Sequence, residues 1–177
     1  MKVSAILLLT LLVSTQAGAG WGLGWCPTVT RQSDFNVVSY MGTWYERARV
    51  NNIRFESGDC NTAHYTLNDD NTVKVVNSQD ENGQSKSIEG EAYCEADNSG
   101  QCYVRFSSKQ PWGDYEVLST DYESYTIIYS CSSFFVANYQ IAWVLSRDPT
   151  YDPTQAVAAL KGLGFDATDF HYTQQNC

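Results

Sequence analysis

The sequence is poor in the side chains that most metal and catalytic sites require. Its 177 residues include only two histidines, His64 and His171, and neither has a close second ligand that would complete a zinc site. The Gly-x-Ser-x-Gly segment that holds the nucleophile of many hydrolases does not occur. Glu89 and Glu91 are spaced like paired acids, but they alternate with small or apolar residues, which predicts that both carboxylates face water. The sequence therefore predicts neither an enzyme nor a metal site.

Basic residues are also scarce. The chain has 11 lysines and arginines against 20 aspartates and glutamates, which gives a formal net charge of -9, and the basic residues form no cluster. Such a chain repels nucleic acid phosphates and anionic membranes. We therefore expect no nucleic acid partner.

Long apolar runs are absent except at the N-terminus. Lys2, the apolar stretch Val3–Val13 and the Ala-Gly-Ala segment Ala17–Ala19 have the order of a secretory signal peptide and its cleavage site. The alternative, a membrane anchor, is disfavoured because about 11 apolar residues fall short of the roughly 20 that span a bilayer. We expect residues 1–19 to be removed, leaving one soluble, secreted and extracellular domain over residues 20–177.

The predicted mature chain contains six cysteines. An even number behind a secretory signal indicates disulfide bonds formed in an oxidising compartment. Spacing alone does not fix how they pair. They are Cys26, Cys60, Cys94, Cys102, Cys131 and Cys177.

Apolar residues alternate with polar ones in short runs, which is the pattern of β-strands with one buried face. Turn-forming segments rich in Asn, Asp and Gly separate some of these runs, at residues 68–71, 81–83 and 98–100. A long antiparallel meander exposes two edges unless it closes, so we expect an all-β fold, an eight-stranded antiparallel up-and-down β-barrel. The predicted strands are Thr43–Val50, Cys60–Leu67, Val73–Gln79, Ser87–Ala92, Cys102–Ser107, Asp114–Ser119, Tyr125–Ser130 and Tyr139–Ser146.

One α-helix is predicted near the C-terminus. Asp152 is suited to the N-cap, Pro153 to the first helical position, and Gly162 or Gly164 to the stop. One apolar face predicts that the helix packs against the barrel wall. The residues of this face are Ala156, Val157, Leu160 and Leu163.

Three short motifs together resemble those of the lipocalins. The Gly-x-Trp segment formed by Gly42 and Trp44 is similar to the opening motif of that family, and Thr120–Tyr122 (Thr-Asp-Tyr) is similar to its second motif. Arg147, just after the last predicted strand, has the position of the third. The resemblance covers nearly the whole predicted mature chain and implies the barrel already expected from the strand pattern.

Within the lipocalins, the sequence most resembles the apolipoprotein D and insect bilin-binding branch. The segments that carry this resemblance are Cys26-Pro27, Ile88–Ala92, Thr120–Tyr125, Tyr129–Cys131, Ala142-Trp143 and Asn176-Cys177. The branch implies disulfide bonds from Cys26 to Cys131 and from Cys60 to Cys177. Cys94 and Cys102 are extra to that pattern, and they flank one turn, so we expect them to form the third pair.

The motif residues also have physical roles that predict structure rather than ligand binding. Trp44 would close one end of the barrel, and the guanidinium of Arg147 would lie across its ring as a cation–π pair. Asp121 would accept hydrogen bonds from the backbone of its turn.

Strand parity predicts which side chains line the barrel interior. If Tyr65 points inward, the alternate residues of each strand do too, and most are apolar or aromatic, as in a small-molecule pocket. The predicted ligand-binding residues are Tyr65, Asn77, Gln79, Val104, Phe106, Tyr115, Val117, Ile128 and Trp143. Of these, the resemblance implies ligand contact for Tyr65, Asn77, Gln79 and Trp143, although the relative carries an acid at the position of Gln79.

The sequence thus predicts a secreted carrier that binds a small hydrophobic ligand, such as a fatty acid or other lipid, a steroid, or a bilin or carotenoid pigment. No cofactor is required. One alternative is an extracellular interaction module in which the loop Arg49–Asp59, with Ile53 and Phe55, binds a receptor, a membrane surface or a second copy. Another is an enzyme acting inside the cup, which would need a free cysteine.

Overall fold

The computed structural model of the protein describes residues 20–51, 53 and 55–177, so the predicted leader, residues 1–19, lies outside the described residues. The described chain forms ten β-strands and two short α-helices, α1 (Val37–Tyr40) and α2 (Thr154–Ala159). The strands are β1 (Trp21–Leu23), β2 (Gly42–Val50), β3 (Asp59–Leu67), β4 (Val73–Glu81), β5 (Gln84–Cys94), β6 (Gln101–Arg105), β7 (Gly113–Thr120), β8 (Tyr125–Phe134), β9 (Ala137–Ser146) and β10 (Phe170–Tyr172).

Strands β2 to β9 form the predicted closed barrel. Each pairs antiparallel with the next along the chain, and β9 returns to pair with β2, where Tyr45 lies opposite Ser146 and Arg49 opposite Trp143. The predicted eight-stranded up-and-down barrel is therefore confirmed. Closure leaves no free edge among these eight strands, and the short strands β1 and β10 add to β9 and β2 on the outside of the seam.

Each of the eight predicted strands is confirmed, with ends that differ by a few residues. The two outer strands, β1 and β10, were not predicted. Each is three residues long, which is too short to show a period of two. Within the residues that the structure describes, no helix is long and apolar enough to cross a membrane.

The C-terminal helix was predicted one residue too early. Pro153 is the N-cap and α2 begins at Thr154, whereas Asp152 was predicted as the cap. The Asp152 carboxylate still bonds the helix start, because its Oδ1 accepts from the Thr154 backbone N–H at 3.0 Å and hydroxyl at 2.6 Å. After Ala159 the chain tightens into a 3₁₀ turn, Leu160–Leu163, that ends at Gly164 with φ +91°.

The barrel wall has a hydrophobic core on each side. Outside the wall, Val157, Leu160 and the following Phe165 are buried against strands β2, β8 and β9. The predicted packing of the helix face on the wall is thus confirmed. Inside, a second cluster surrounds Trp44 and Tyr65.

Trp44 and Arg147 close one end of the barrel. The Trp44 side chain is fully buried, and its indole Nε1 donates to the Tyr40 carbonyl at 2.9 Å. The Arg147 guanidinium lies 3.7 Å from the centre of the indole ring, which confirms the predicted cation–π pair. Arg147 also donates to five backbone carbonyls of this end, those of Ser39, Tyr40, Met41, Thr43 and Tyr122.

Gly42, the first residue of the Gly-x-Trp motif, has a steric reason to be glycine. Its φ is +96°, and a Cβ at this position would lie 3.3 Å from the Arg147 Nη1 atom. Both the backbone angle and the approach of the guanidinium therefore favour a residue without a side chain.

The Thr-Asp-Tyr motif forms the turn between β7 and β8. Asp121 Oδ1 accepts from three successive backbone N–H groups, those of Glu123, Ser124 and Tyr125, at 3.2, 2.7 and 3.0 Å. This confirms the predicted role of Asp121, since the turn leaves these donors without strand partners.

All six cysteines lie among the described residues, and all are paired. The pairs are Cys26–Cys131, Cys60–Cys177 and Cys94–Cys102, as predicted. The first two close loops of 105 and 117 residues, and in the chain-entropy model each stabilises the fold by about 4 to 5 kcal/mol. They tie the segments around Cys26 and Cys177 to barrel strands β8 and β3.

Replacement of Arg147 by alanine tests the closed end. We expect Arg147→Ala to lower the free energy of unfolding by about 3 kcal/mol, because the change removes the ring contact and leaves several carbonyls without a donor. Urea denaturation followed by circular dichroism measures the loss. Arg31→Ala is the matched control, since it removes an arginine whose partner Glu116 is at 3.1 Å and whose partly exposed pair is worth about 1 kcal/mol or less. Equal losses for the two variants would contradict this account.

Candidate ligand site

A cavity of about 710 Å³ lies inside the barrel. Its size is typical of small-molecule sites. The lining extends from Tyr40 and Leu145, near Trp44, to the loops at the opposite end, where it includes Phe55, Glu56 and Pro111. The cavity therefore has a floor at the closed end and a mouth among the loops that join β2 to β3 and β6 to β7.

Eight of the nine predicted ligand-binding residues line this cavity. They are Tyr65, Asn77, Gln79, Val104, Phe106, Tyr115, Ile128 and Trp143. Whether they contact a ligand stays a prediction.

Val117 does not line the cavity, so its placement there was wrong. Its side chain is fully buried in the inner core around Trp44. Strand β7 runs from the mouth to the closed end, and Val117 lies two residues deeper than Tyr115. Parity correctly predicts that Val117 faces the barrel interior, but it does not show how far along the barrel axis the side chain lies.

Several lining residues were not predicted. Glu56 belongs to the loop before β3, where no periodic pattern exists to indicate direction. Glu46 has the same parity as Trp44, but an acid in a strand usually faces water. The bulge between Glu46 and Ala48 then turns Arg49 to the same side, where it pairs with the Glu46 carboxylate.

The loop Arg49–Asp59 differs from its prediction at one apolar residue. Ile53 is buried, with 4% of its surface exposed, so it does not face a partner. Phe55 is 62% exposed at the mouth. A larger exposed apolar patch, not predicted, lies where β1 meets the β8–β9 turn and consists of Trp21, Leu23, Trp25, Phe134, Phe135 and Val136. Binding of a receptor or a second copy stays a prediction.

Three tyrosine hydroxyls form a chain beside the cavity floor. Tyr115 Oη lies 2.8 Å from Tyr40 Oη and 3.0 Å from Tyr65 Oη, and Tyr40 Oη lies 3.2 Å from Thr126 Oγ1. Burial raises the pKa of Tyr40 to about 12 and raises the pKa values of Tyr65 and Tyr115 further. All three therefore stay protonated at physiological pH.

This series of hydrogen-bonded hydroxyls has one O–H donor that is not used within the series and that a ligand can use. Four hydroxyls joined by three hydrogen bonds have one proton more than the bonds between them use. Thr126 is fully buried and has no other side-chain acceptor among the described residues, so the favoured direction runs from Thr126 toward the cavity. The spare donor is then the Tyr65 hydroxyl.

Glu56 is the main acid at the cavity mouth. Its Oε2 accepts a hydrogen bond from the Trp143 indole Nε1 at 2.7 Å. Burial and the nearby Glu46 carboxylate raise the pKa of Glu56 to about 7, against the opposing effects of Trp143 and Arg49. The protonation state of this residue therefore changes near neutral pH.

The basic residues of the described lining each have an acidic partner. Lys86 and Arg105, the basic residues of the described lining, pair with Glu81 and Glu91. Arg49 is paired as well, because its Nη1 lies 2.5 Å from Glu46 Oε1 and its Nη2 donates to the Gly58 carbonyl at 3.0 Å.

Asp114, by contrast, has no salt-bridge partner among the described residues, and burial raises its pKa. Glu56 likewise has no salt bridge to a basic residue among the described residues. No group of three or more histidine, cysteine, aspartate or glutamate side chains there could hold a metal ion.

The comparison with known families decides the assignment of the chain. A family model described as Lipocalin-like domain matches residues 35–175. The chain belongs to the lipocalin family. Lipocalins are carriers of small hydrophobic ligands, and a blind cavity of this size fits that class.

Individual relatives agree with the predicted branch. This lipocalin is 36% identical over 166 residues to apolipoprotein D of Rattus norvegicus, covering 91% of this chain and 87% of that protein. It is 33% identical over 183 residues to the Lazarillo protein of Schistocerca americana, covering 98% and 83%. The solved structure of insecticyanin from the tobacco hornworm Manduca sexta superimposes with a TM-score of 0.76 at 27% identity and covers 89% of each chain.

The titration of Glu56 has a measurable consequence for stability. The folded protein holds the Glu56 proton with a pKa of about 7, against an ordinary value of 4.5. Between these values the unfolded chain binds fewer protons, so the free energy of unfolding falls as pH rises. We expect the stability of the wild-type protein to decrease across this window relative to that of Glu56→Gln, as measured by urea denaturation at several pH values.

The control for this titration is Glu89→Gln. It removes an exposed carboxylate on the outer face, at 2.9 Å from Lys74, and its effect should stay nearly constant over the same pH window. A constant difference between wild type and Glu56→Gln would contradict the raised pKa.

Proposed function

We propose that this lipocalin is a secreted carrier that binds one small hydrophobic molecule in the barrel cavity and releases it unchanged. The observation that supports this most directly is the cavity of about 710 Å³, closed at Trp44 and reaching the loops at the other end. The pairing of all six cysteines supports a carrier over cysteine-based catalysis.

The energetics of the cavity favour long or flat apolar ligands. Burial of an acyl chain of about 16 carbons gives on the order of 12 kcal/mol at about 0.8 kcal/mol per CH₂. Association costs about 4 to 15 kcal/mol. The lower end of that cost leaves about 8 kcal/mol, which corresponds to micromolar binding. Because most of this energy is non-directional, lipids, steroids, bilins and carotenoids all satisfy it.

Aromatic side chains around the cavity support flat or conjugated ligands in particular. Tyr65 and Trp143 both line it and have faces or edges on which a ring system can pack. We propose that the predicted residues of the lining form the contact surface, with the Tyr65 hydroxyl as a hydrogen-bond donor at the floor. No cofactor is needed for this function.

Secretion is part of the proposal. The signal-like sequence of residues 1–19 and the three disulfide bonds support export to an oxidising compartment. We expect protein recovered from the medium of secreting cells to begin near Gly20. Mass spectrometry of the intact protein measures this, and a secreted product that retains residues 1–19 would contradict the cleavage.

Ligand binding is tested by filling the cavity. We expect saturable quenching of Trp143 fluorescence by members of a panel of fatty acids, steroids, retinoids, carotenoids and bilins. Ala92 lines the cavity, so Ala92→Phe should weaken binding about tenfold by occupying ligand volume, an effect of about 1.4 kcal/mol.

The matched control is Ala158→Phe, which makes the same change at an exposed position of α2. It should leave affinity unchanged, and thermal melts of both variants establish that each is folded. A flat titration across the whole panel would overturn the carrier proposal.

A further inference from the structure

We infer that the cavity mouth discriminates by charge, so that it accepts a hydrophobic alcohol and rejects the corresponding carboxylate, with Glu56 as the specificity-determining residue. This inference rests on the proposed carrier function and narrows its ligand class. It starts from the Glu56 carboxylate at the mouth and from the pairing of both basic residues of the described lining with other acids.

Glu56 offers an acceptor that nothing in the described protein uses. Its Oε2 is bonded to the Trp143 indole at 2.7 Å, which fixes the carboxylate at the cavity wall. Its Oε1 has no hydrogen-bond partner among the described residues. A ligand hydroxyl that reaches the mouth can therefore donate to Oε1 without displacing the indole.

A second acceptor lies further along the wall. Asn77 lines the cavity, and its Oδ1 atom is buried without any hydrogen-bond partner among the described groups. A buried acceptor without a donor is costly, so a ligand O–H or N–H that reaches it would gain affinity. Asp114 adds no acceptor, because it is paired with Tyr103 in the ladder and its side chain lies on the opposite face of β7 from Tyr115.

The cations near the cavity do not balance the negative charge of Glu56, because each is paired with another acid. Lys86 and Arg105 pair with Glu81 and Glu91, and Arg105 also lies 4.2 Å from the centre of the Trp112 ring. The other donors of the described lining, such as the Tyr65 hydroxyl and the Gln79 amide, are neutral. A ligand carboxylate would thus approach the Glu56 carboxylate with no unpaired cation of the described lining to balance its charge.

The groups that face Glu56 determine how its charge depends on pH. They come from three strands: Glu46 and Arg49 from β2, Tyr65 from β3 and Trp143 from β9. Glu46 and Arg49 form a salt bridge, and Tyr65 and Trp143 are neutral, so ionisation of Glu56 adds one negative charge to the mouth. Protonation removes that charge and converts the carboxyl into a donor.

The test compares dodecan-1-ol with dodecanoic acid, which share a chain length, by isothermal titration calorimetry of the full protein. Plain hydrophobicity already favours the alcohol, so the informative quantity is the effect of Glu56→Gln, which keeps an acceptor for the indole. At about pH 8.5, where Glu56 and dodecanoate are both ionised, we expect the variant to bind dodecanoate about tenfold more tightly than wild type does, through loss of one repulsion.

Three further results are expected. The dodecan-1-ol affinity of Glu56→Gln should stay within about threefold of wild type, because the amide oxygen accepts from the indole and the amide NH₂ donates to the hydroxyl oxygen. At about pH 5.5 the gain for dodecanoate should disappear, because wild-type Glu56 is then protonated. The control Glu89→Gln, with the same charge change on the outer face, should leave dodecanoate affinity unchanged at either pH.

Equal dodecanoate affinities for wild type and Glu56→Gln at the higher pH would overturn the inference while leaving the carrier proposal in place. An equal gain in Glu89→Gln would overturn it too, because net charge rather than Glu56 would then be responsible. Failure of both ligands to bind any variant also overturns it, and the broader ligand panel decides the carrier function separately.

Discussion

The stacking of Arg147 on Trp44 is the interaction on which the rest of the structure depends. It joins the first barrel strand to the chain just after the last one, and the remaining guanidinium donors bind the segment that crosses the barrel end. Because this end is filled, ligand volume exists only toward the other end. The direction of the cavity, the depth of its floor and the position of Tyr65 all follow from this contact.

The polar groups of the cavity follow a gradient along the barrel axis. Near the floor they are neutral hydroxyls that share protons with one another, while the mouth carries carboxylates. Both arrangements depend on burial, which keeps the tyrosines protonated and makes the Glu56 proton harder to remove. An apolar ligand would therefore meet charge at the mouth and only dipoles at the floor.

The alternation of apolar and polar residues made most of the fold predictable from sequence. It did not show how far along the barrel axis a side chain lies, or where a strand contains a bulge. The eight barrel strands and the inward face of Tyr65, Val104 and Trp143 follow from a period of two. Val117 was misplaced because parity does not distinguish the cavity wall from the core beneath it. Glu56 was missed because a loop has no period, and the bulge that places Arg49 beside Glu46 leaves no mark in the residue pattern.

Because α2 packs outside the barrel, strands β2, β8 and β9 contribute both to the outer hydrophobic cluster and to the barrel interior. Alternate residues of these strands pack against the helix and Phe165 outside the barrel, while the residues between them face the cavity or the inner core. The outer cluster and the closed end around Trp44 thus supply packing that does not involve the cavity mouth, so substitutions near the mouth can change the ligand space with a smaller effect on stability. Such a division lets related chains exchange ligand preferences while keeping one architecture.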